Sequence, residues 1–221
     1  MVWILLFPLI GAAVLALGRN HLSPRLIGAL GSGAVGAAFL VTLSSLLSYH
    51  RAGEPLVQTL FTWAKGTGFE VEFGLLGDAI SLWWLVVVTG VGFLIHVYAS
   101  EYMAEDPCVG RFFAKLNYFV FAMNLLVLAD NFVGLLMGWA NVGLASFMLI
   151  GFWNYKPEAA AAAKKAFLLN VIGEVGIILG LALTFMEFRS LAFEEVFGRV
   201  ASADPGVLTA IGLLLLVGAV A

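Results

Sequence analysis

One carboxyl stands deep inside an apolar stretch: Glu174, about nine residues into the run Ala166–Phe188, whose other acid, Glu187, is at its end. A charged group at the centre of a membrane helix costs about 2.5–3.5 kcal/mol on insertion scales, so an intramembrane carboxyl is by default a proton-relay candidate. The plainer alternative is a glutamate that hydrogen-bonds a neighbouring helix. Asn170 lies four residues earlier, on the same helical face. Asn117, Asn124 and Asn131 recur every seven residues, along the fourth span and into the following turn, and predict a polar stripe on one face that either lines a hydrated path or bonds across helices. His96, with Tyr98 close by, is either a proton shuttle or an interfacial anchor. Lys164 and Lys165 either join a proton route or snorkel to the interface.

The elements that must position these residues follow from composition. Of 221 residues, 62% are hydrophobic and only 11% charged, against about 25% charged in a soluble domain. Only lipid can cover that much apolar surface, so the expected fold is an all-α integral membrane bundle. A span needs about 17–25 apolar residues. Candidate spans are Val2–Gly18, Leu26–Ser48, Leu75–Ala99, Phe112–Ala129, Phe132–Trp153 and Ala166–Phe188. A seventh run starts near Val207 and is still apolar at Ala221, which reads as the start of a further, broken helix. No Lys or Arg precedes the first run, so it is expected to be a retained helix rather than a signal peptide.

The connections carry their own signals. The segment 51–74 contains Gly53, Pro55, Gly66, Gly68 and Gly74, and alternates in Phe69-Glu70-Val71-Glu72-Phe73, which predicts a short strand or hairpin. Leu191, Phe193, Val196, Phe197 and Val200 share one face and predict an interfacial amphipathic helix. With the N-terminus outside, seven Lys/Arg fall on the inner side and four on the outer, which favours that orientation.

Several function classes are excluded. The sequence has no basic run to bind nucleic acid. Its one cysteine, Cys108, can form neither an internal disulfide nor a thiolate metal cluster. No Ser-His-Asp set, paired-carboxylate hydrolase site or phosphate loop can be assembled. Gly31-Ser32-Gly33-Ala34-Val35-Gly36 fits a dinucleotide fingerprint in letters only. It lies inside an apolar run, where small residues serve close helix packing, as do Gly173, Gly176 and Gly180.

Ordered motifs add a family likeness. They are Thr89–Tyr98, Arg111-Phe112-Phe113-Ala114, Leu126–Asn131, and Gly138-Trp139 followed by Val142–Ser146 and Leu149–Trp153. Lys165-Ala166-Phe167 and Asn170 with Ile172-Gly173-Glu174 complete the series. From about Leu75 onward the chain resembles the subunit L family, the antiporter-like membrane subunits of NADH:quinone oxidoreductase (respiratory complex I). A weaker likeness runs to cation/proton antiporter and inorganic-carbon uptake subunits.

The resemblance implies inverted helical repeats, each with a buried glutamate on one helix and a lysine on a broken helix, driven by quinone reduction in other subunits. It also implies no redox cofactor in this chain, other membrane subunits of the complex as partners, and a bacterial inner membrane. It divides the chain into a two-helix region, 1–74, and an incomplete antiporter-like domain, 75–221. The implied proton path takes in Glu174, Asn170, Lys165, His96 and Asn124. Four positions depart from the family pattern. Ala140 stands where a glutamate follows Gly-Trp, Val171 where an arginine follows the asparagine, and Glu174 where aspartate is common. The broken-helix lysine would fall just past Ala221. The rival readings are a carrier subunit outside complex I and a scaffold that transports nothing.

Overall fold

The computed structural model describes residues 1–66 and 69–221. Gly68 of the predicted loop lies outside the described residues, as do the side chains of Phe69 and Glu70. Eight α-helices and one hairpin follow in the order α1 (Val2–Gly18), α2 (Pro24–Ala52), β1 (Leu56–Gly66), β2 (Phe69–Gly77), α3 (Ala79–Tyr102), α4 (Val109–Leu128), α5 (Phe132–Ile150), α6 (Pro157–Phe188), α7 (Phe193–Arg199) and α8 (Pro205–Val220).

Helix starts are set by local chemistry. Ser23 caps α2 and Pro24 occupies its first position, where a missing N–H costs nothing. Asp78 and Ser81 form a reciprocal capping box on α3. Asn131 accepts from Gly134 N at 2.8 Å to cap α5, and Asp204 accepts from Gly206 N and Val207 N to cap α8. α2 ends at Gly53, whose φ of 74° is the left-handed conformation glycine adopts without strain.

Five helices, α2 to α6, are long and apolar enough to cross a membrane. α1 has 17 residues and α8 has 16, at or below the usual minimum. The third expected span is corrected at its start: Leu75–Gly77 belongs to β2, and helix begins only at Ala79. Two antiparallel strands also qualify the all-α expectation. The alternation at 69–73 is one arm of a hairpin that reaches back to Leu56, the second of the two forms expected. The predicted amphipathic helix forms as α7 followed by a 3-10 turn at 200–202.

α1 to α4 pack around two clusters. One holds Ile4, Leu75, Leu82, Leu85 and Leu128, the other Leu15, Ile27 and Phe113. α5, α6, α7 and α8 share a third, with Phe132, Ile177, Phe188 and Ile211. Between apolar helices in lipid, association rests on close packing rather than on a hydrophobic drive. The glycines supply it. A Cβ on Gly31 would meet the Phe113 ring at 2.6 Å, and one on Gly36 the Phe93 ring at 3.0 Å. Gly173, Gly176 and Gly180 form the face of α6 against α8. Gly31 and Gly36, like the three glycines of α6, are thus packing devices, as the sequence predicts, whereas Gly33 faces open space.

Three connections knot together at one end of the bundle: the hairpin, the α4–α5 turn and the α6–α7 turn. Asn131 Nδ2 donates to Glu72 O at 2.8 Å, Phe132 N to Leu191 O and Phe193 N to Asp130 O. Gly74 must be glycine here, because a Cβ would fall 1.6 Å from Asp130 Oδ2. At the opposite end, Trp153 Nε1 donates to Asp106 Oδ2 at 3.0 Å, tying the α3–α4 and α5–α6 turns.

Candidate functional site

Glu174 and Asn170 come together on α6 and face α5. A Cβ on Gly143 would lie 3.4 Å from Asn170 Nδ2 and 3.6 Å from Glu174 Oε1. Gly143 is thus the small residue that lets an amide and a carboxyl fit between two apolar helices. Ala140 lies one turn earlier on the same face of α5, so that turn brings the carboxyl no second acid. The glycine stripe beginning at Gly173 turns the adjoining face of α6 toward α8. Glu174 itself is half-buried.

Lys165 is not part of this group. Nine residues at 100° each place it on the face opposite Glu174, about 13 Å away along the helix. Lys164 and Lys165 are both exposed. α6 has 32 residues, about 48 Å against a hydrocarbon core of about 30 Å, so its first turns extend beyond an apolar span.

Asn124 sits in a different interface. Its Nδ2 donates to Ile4 O at 3.0 Å. Pro8, inside α1, has no N–H with which to bond that carbonyl. Asn124 therefore fills the backbone gap that the proline opens, a relation no helical period reveals. Asn117, also fully buried, donates to Phe113 O of its own helix, and its Oδ1 occupies the notch left by Gly11. Asn131 lies in the turn after α4, as expected, but its side chain caps α5, so only Asn117 and Asn124 share the face of α4.

His96 is completely buried, whereas Tyr98 is 70% exposed. The two therefore do not form a common anchor. Because a carbonyl only accepts, His96 Nδ1 donates to Gly92 O at 2.7 Å, and the ring edge meets Phe113. Its Nε2 and the Oδ1 atoms of Asn117 and Asn124 are buried acceptors without partners among the described residues.

The polar patch that Asn141 forms in the fifth span with Trp139, Gly143 and Ser146 has partners on α4 that sequence reasoning did not find. The Tyr118 hydroxyl donates to Asn141 Oδ1, Asn141 Nδ2 donates to Met137 O, and Lys115 Nζ donates to Met148 O at 2.8 Å. Asn141 had the signal, a polar residue in an apolar run, but its partner 23 residues away is visible only in three dimensions. At the knotted end, burial is the main cause that pushes Asp130 above the usual carboxylate range, against the opposing hydrogen bond from Asn131. Among the described residues no His/Cys/Asp/Glu group is arranged to hold a metal ion.

Apolar helices, glycine-mediated packing and a single amide–carboxyl pair between two spans define a multi-pass helical membrane protein. Residues 63–113 match the family model described as NADH-ubiquinone oxidoreductase (complex I), chain 5 N-terminus. Residues 129–221 match the one described as NADH:quinone oxidoreductase/Mrp antiporter, TM. The chain is 47% identical over 99% of its length to NADH-quinone oxidoreductase subunit L of Mycobacterium tuberculosis, covering 35% of that protein. It is 42% identical over 87% of its length to the Escherichia coli subunit L, covering 32% of it. Among solved structures, the Mrp complex from Dietzia sp. superposes with a TM-score of 0.81 at 25% identity, over 98% of this chain and 23% of that one. The chain belongs to the subunit L family of NADH:quinone oxidoreductase, and the likeness extends over α1 and α2 as well as the region from Leu75 onward. It spans about a third of the length of these curated relatives.

Proposed function

We propose that this chain is the front part of a membrane subunit of a proton-translocating NADH:quinone oxidoreductase, and that Glu174 with Asn170 is its protonatable pair. The observation that carries the reading is the meeting of Asn170 and Glu174 at Gly143, inside the α5–α6 interface. The amide stands beside the carboxyl at Gly143, and the glycine leaves room for the carboxyl to change partners. His96 and Asn124, each with an unpartnered buried acceptor, stand at different depths among α1 to α4, one beside Phe113 and the other beside Ile4. In this reading His96 takes up a water-borne proton, Asn124 only hydrogen-bonds water, and neither exchanges a proton with Glu174 directly. Lys165 acts at the headgroup end of α6.

In the same proposal α1 is a sixth span and α8 the opening of a seventh, broken one. Residues 1–74 form a leading two-helix region and 75–221 an antiporter-like unit. The N-terminus faces outward from a bacterial inner membrane. The subunit holds no redox cofactor, has no activity of its own and works against neighbouring membrane subunits of the complex. Ala140 favours one second reading, a scaffold that transports nothing, because a site with no second carboxyl is a poor proton wire.

The test is Glu174→Gln in the full complex, reconstituted in sealed vesicles. Electron transfer with fewer protons moved per electron pair is expected. An unchanged proton-to-electron ratio means Glu174 carries no proton. The missing charges at Ala140 and Val171 are expected to have compensated each other, since breaking a buried pair costs about 3–5 kcal/mol while replacing both members is often neutral. Ala140→Glu alone should then destabilise more than Ala140→Glu with Val171→Arg.

A further inference from the structure

A groove of about 360 Å³ runs between α1, α4 and α5. Its floor is built from small residues of α1: Ala12, Ala13 and Ala16. One end carries Arg19, Arg111 and Lys115, and no carboxylate lines the groove among the described residues. These cations are held close together. The Arg111 guanidinium and Lys115 Nζ stand over the same Phe152 ring, at 5.5 Å and 5.3 Å from its centroid. Arg111 Nε is buried without a hydrogen-bond partner. The nearest acid, Asp106, lines the adjoining hollow beside Arg19 and Arg111. Its oxygens accept from Cys108 N at 2.7 Å and Trp153 Nε1 at 3.0 Å, and among the described residues it forms no ion pair with either arginine.

We propose that this groove holds one anionic phospholipid, with its phosphodiester among Arg19, Arg111 and Lys115 and an acyl chain along the alanines of α1. Charge selects an anion, and an apolar slot continuing from the cations selects one that carries a hydrocarbon chain. Length argues against a helix of another subunit. From Arg19 to Leu9 the groove follows ten residues of α1, about 15 Å, which is one leaflet of a core about 30 Å thick. A crossing helix needs the whole thickness. A lipid of the leaflet on the α1–α2 side needs half of it. Basic hollows between helices at the headgroup level are suited to such lipids.

The experiment uses the whole membrane complex in phosphatidylcholine nanodiscs that contain phosphatidylglycerol with a photoreactive group in its acyl chain. Adducts are mapped by peptide mass spectrometry. Adducts on α1 between Leu9 and Ala16 are expected, with a phosphatidylcholine probe of the same chain labelling far less. Neutralising Arg19, Arg111 and Lys115 with glutamine should lower labelling by about fivefold per cation. Ala16→Trp, which keeps every charge and alters one exposed residue, should block the slot by itself. It decides the matter if the triple variant fails to assemble. Equal labelling by the two lipids, labelling untouched by Ala16→Trp, or an unlabelled groove would overturn the proposal. So would displacement by inorganic phosphate, which would mark a site for the anion alone.

Discussion

Asn124→Leu tests whether the buried amide exists to repair α1. In the native protein Asn124 Nδ2 donates to Ile4 O at 3.0 Å, and both the side chain and Ile4 are fully buried. Pro8, four residues after Ile4, leaves that carbonyl without its helical donor. Leucine keeps the volume but strands the carbonyl. An orphaned buried group costs about 1–3 kcal/mol, while interhelical hydrogen bonds in membranes average about 0.6 and reach about 1.7 kcal/mol. The substitution also removes Asn124 Oδ1, itself without a partner, which offsets part of the loss. A net cost of about 0.5–1.5 kcal/mol follows. Pro8→Ala restores an N–H at position 8, so Ile4 O regains its own donor. In that background Asn124→Leu should cost less than half as much, whatever Pro8→Ala does alone. The assay is a double-mutant cycle on the full-length protein in detergent, read by equilibrium unfolding. Costs that add within about 0.3 kcal/mol would refute the argument, because Asn124 would then be serving something other than the proline gap.

Two further outcomes follow from single positions. Gly138→Ala should destabilise by about 1–3 kcal/mol, because its Cβ would lie 2.4 Å from Leu126 Cα and force α4 and α5 apart. Gly33→Ala, with nothing within 4 Å, should stabilise by about 0.5–1 kcal/mol. Thermal unfolding separates the two, and shifts of the same sign would contradict the packing account. Asp130 titrates higher in the folded protein than its ordinary value of 3.8. Between those two pH values the native state holds more protons than the unfolded one, so stability falls as pH rises through that window. Asp130→Asn should flatten this fall in a pH series of unfolding midpoints, and an unaltered slope would show that another group is responsible.

Much of the bundle was legible in the chain because a membrane helix announces itself by composition. Five runs long enough to span, the amphipathic α7 and the packing use of Gly31, Gly36 and the α6 glycines follow from local pattern. Boundaries were less legible where two signals overlap. Leu75–Gly77 is apolar enough to extend α3, yet it pairs with Leu56–Gln58 as the end of β2. Hydropathy cannot tell a buried strand end from the first turn of a helix. Asn131 lies in the turn after the fourth span, where the sequence places it, but its role as the cap of α5 is not legible from a seven-residue spacing.

The candidate site divides in the same way. That Glu174 matters, that Asn170 shares its face and that no second acid stands at Ala140 are properties of the order of residues along one helix or at one motif. They needed only the 100° step of the helix and the cost of a carboxyl in hydrocarbon. Which helix faces the carboxyl was decided by packing, where Gly143 of α5 alone leaves the room. Tertiary contact likewise turned His96 inward onto Phe113, set Asn124 against the carbonyl that Pro8 abandons, and gathered Arg19, Arg111 and Lys115 at one groove. The physical reason is that burial and composition are summed along the chain, whereas a hydrogen-bond partner or a charge neighbour is chosen between segments. Nothing in the spacing of residues encodes that choice until the helices touch.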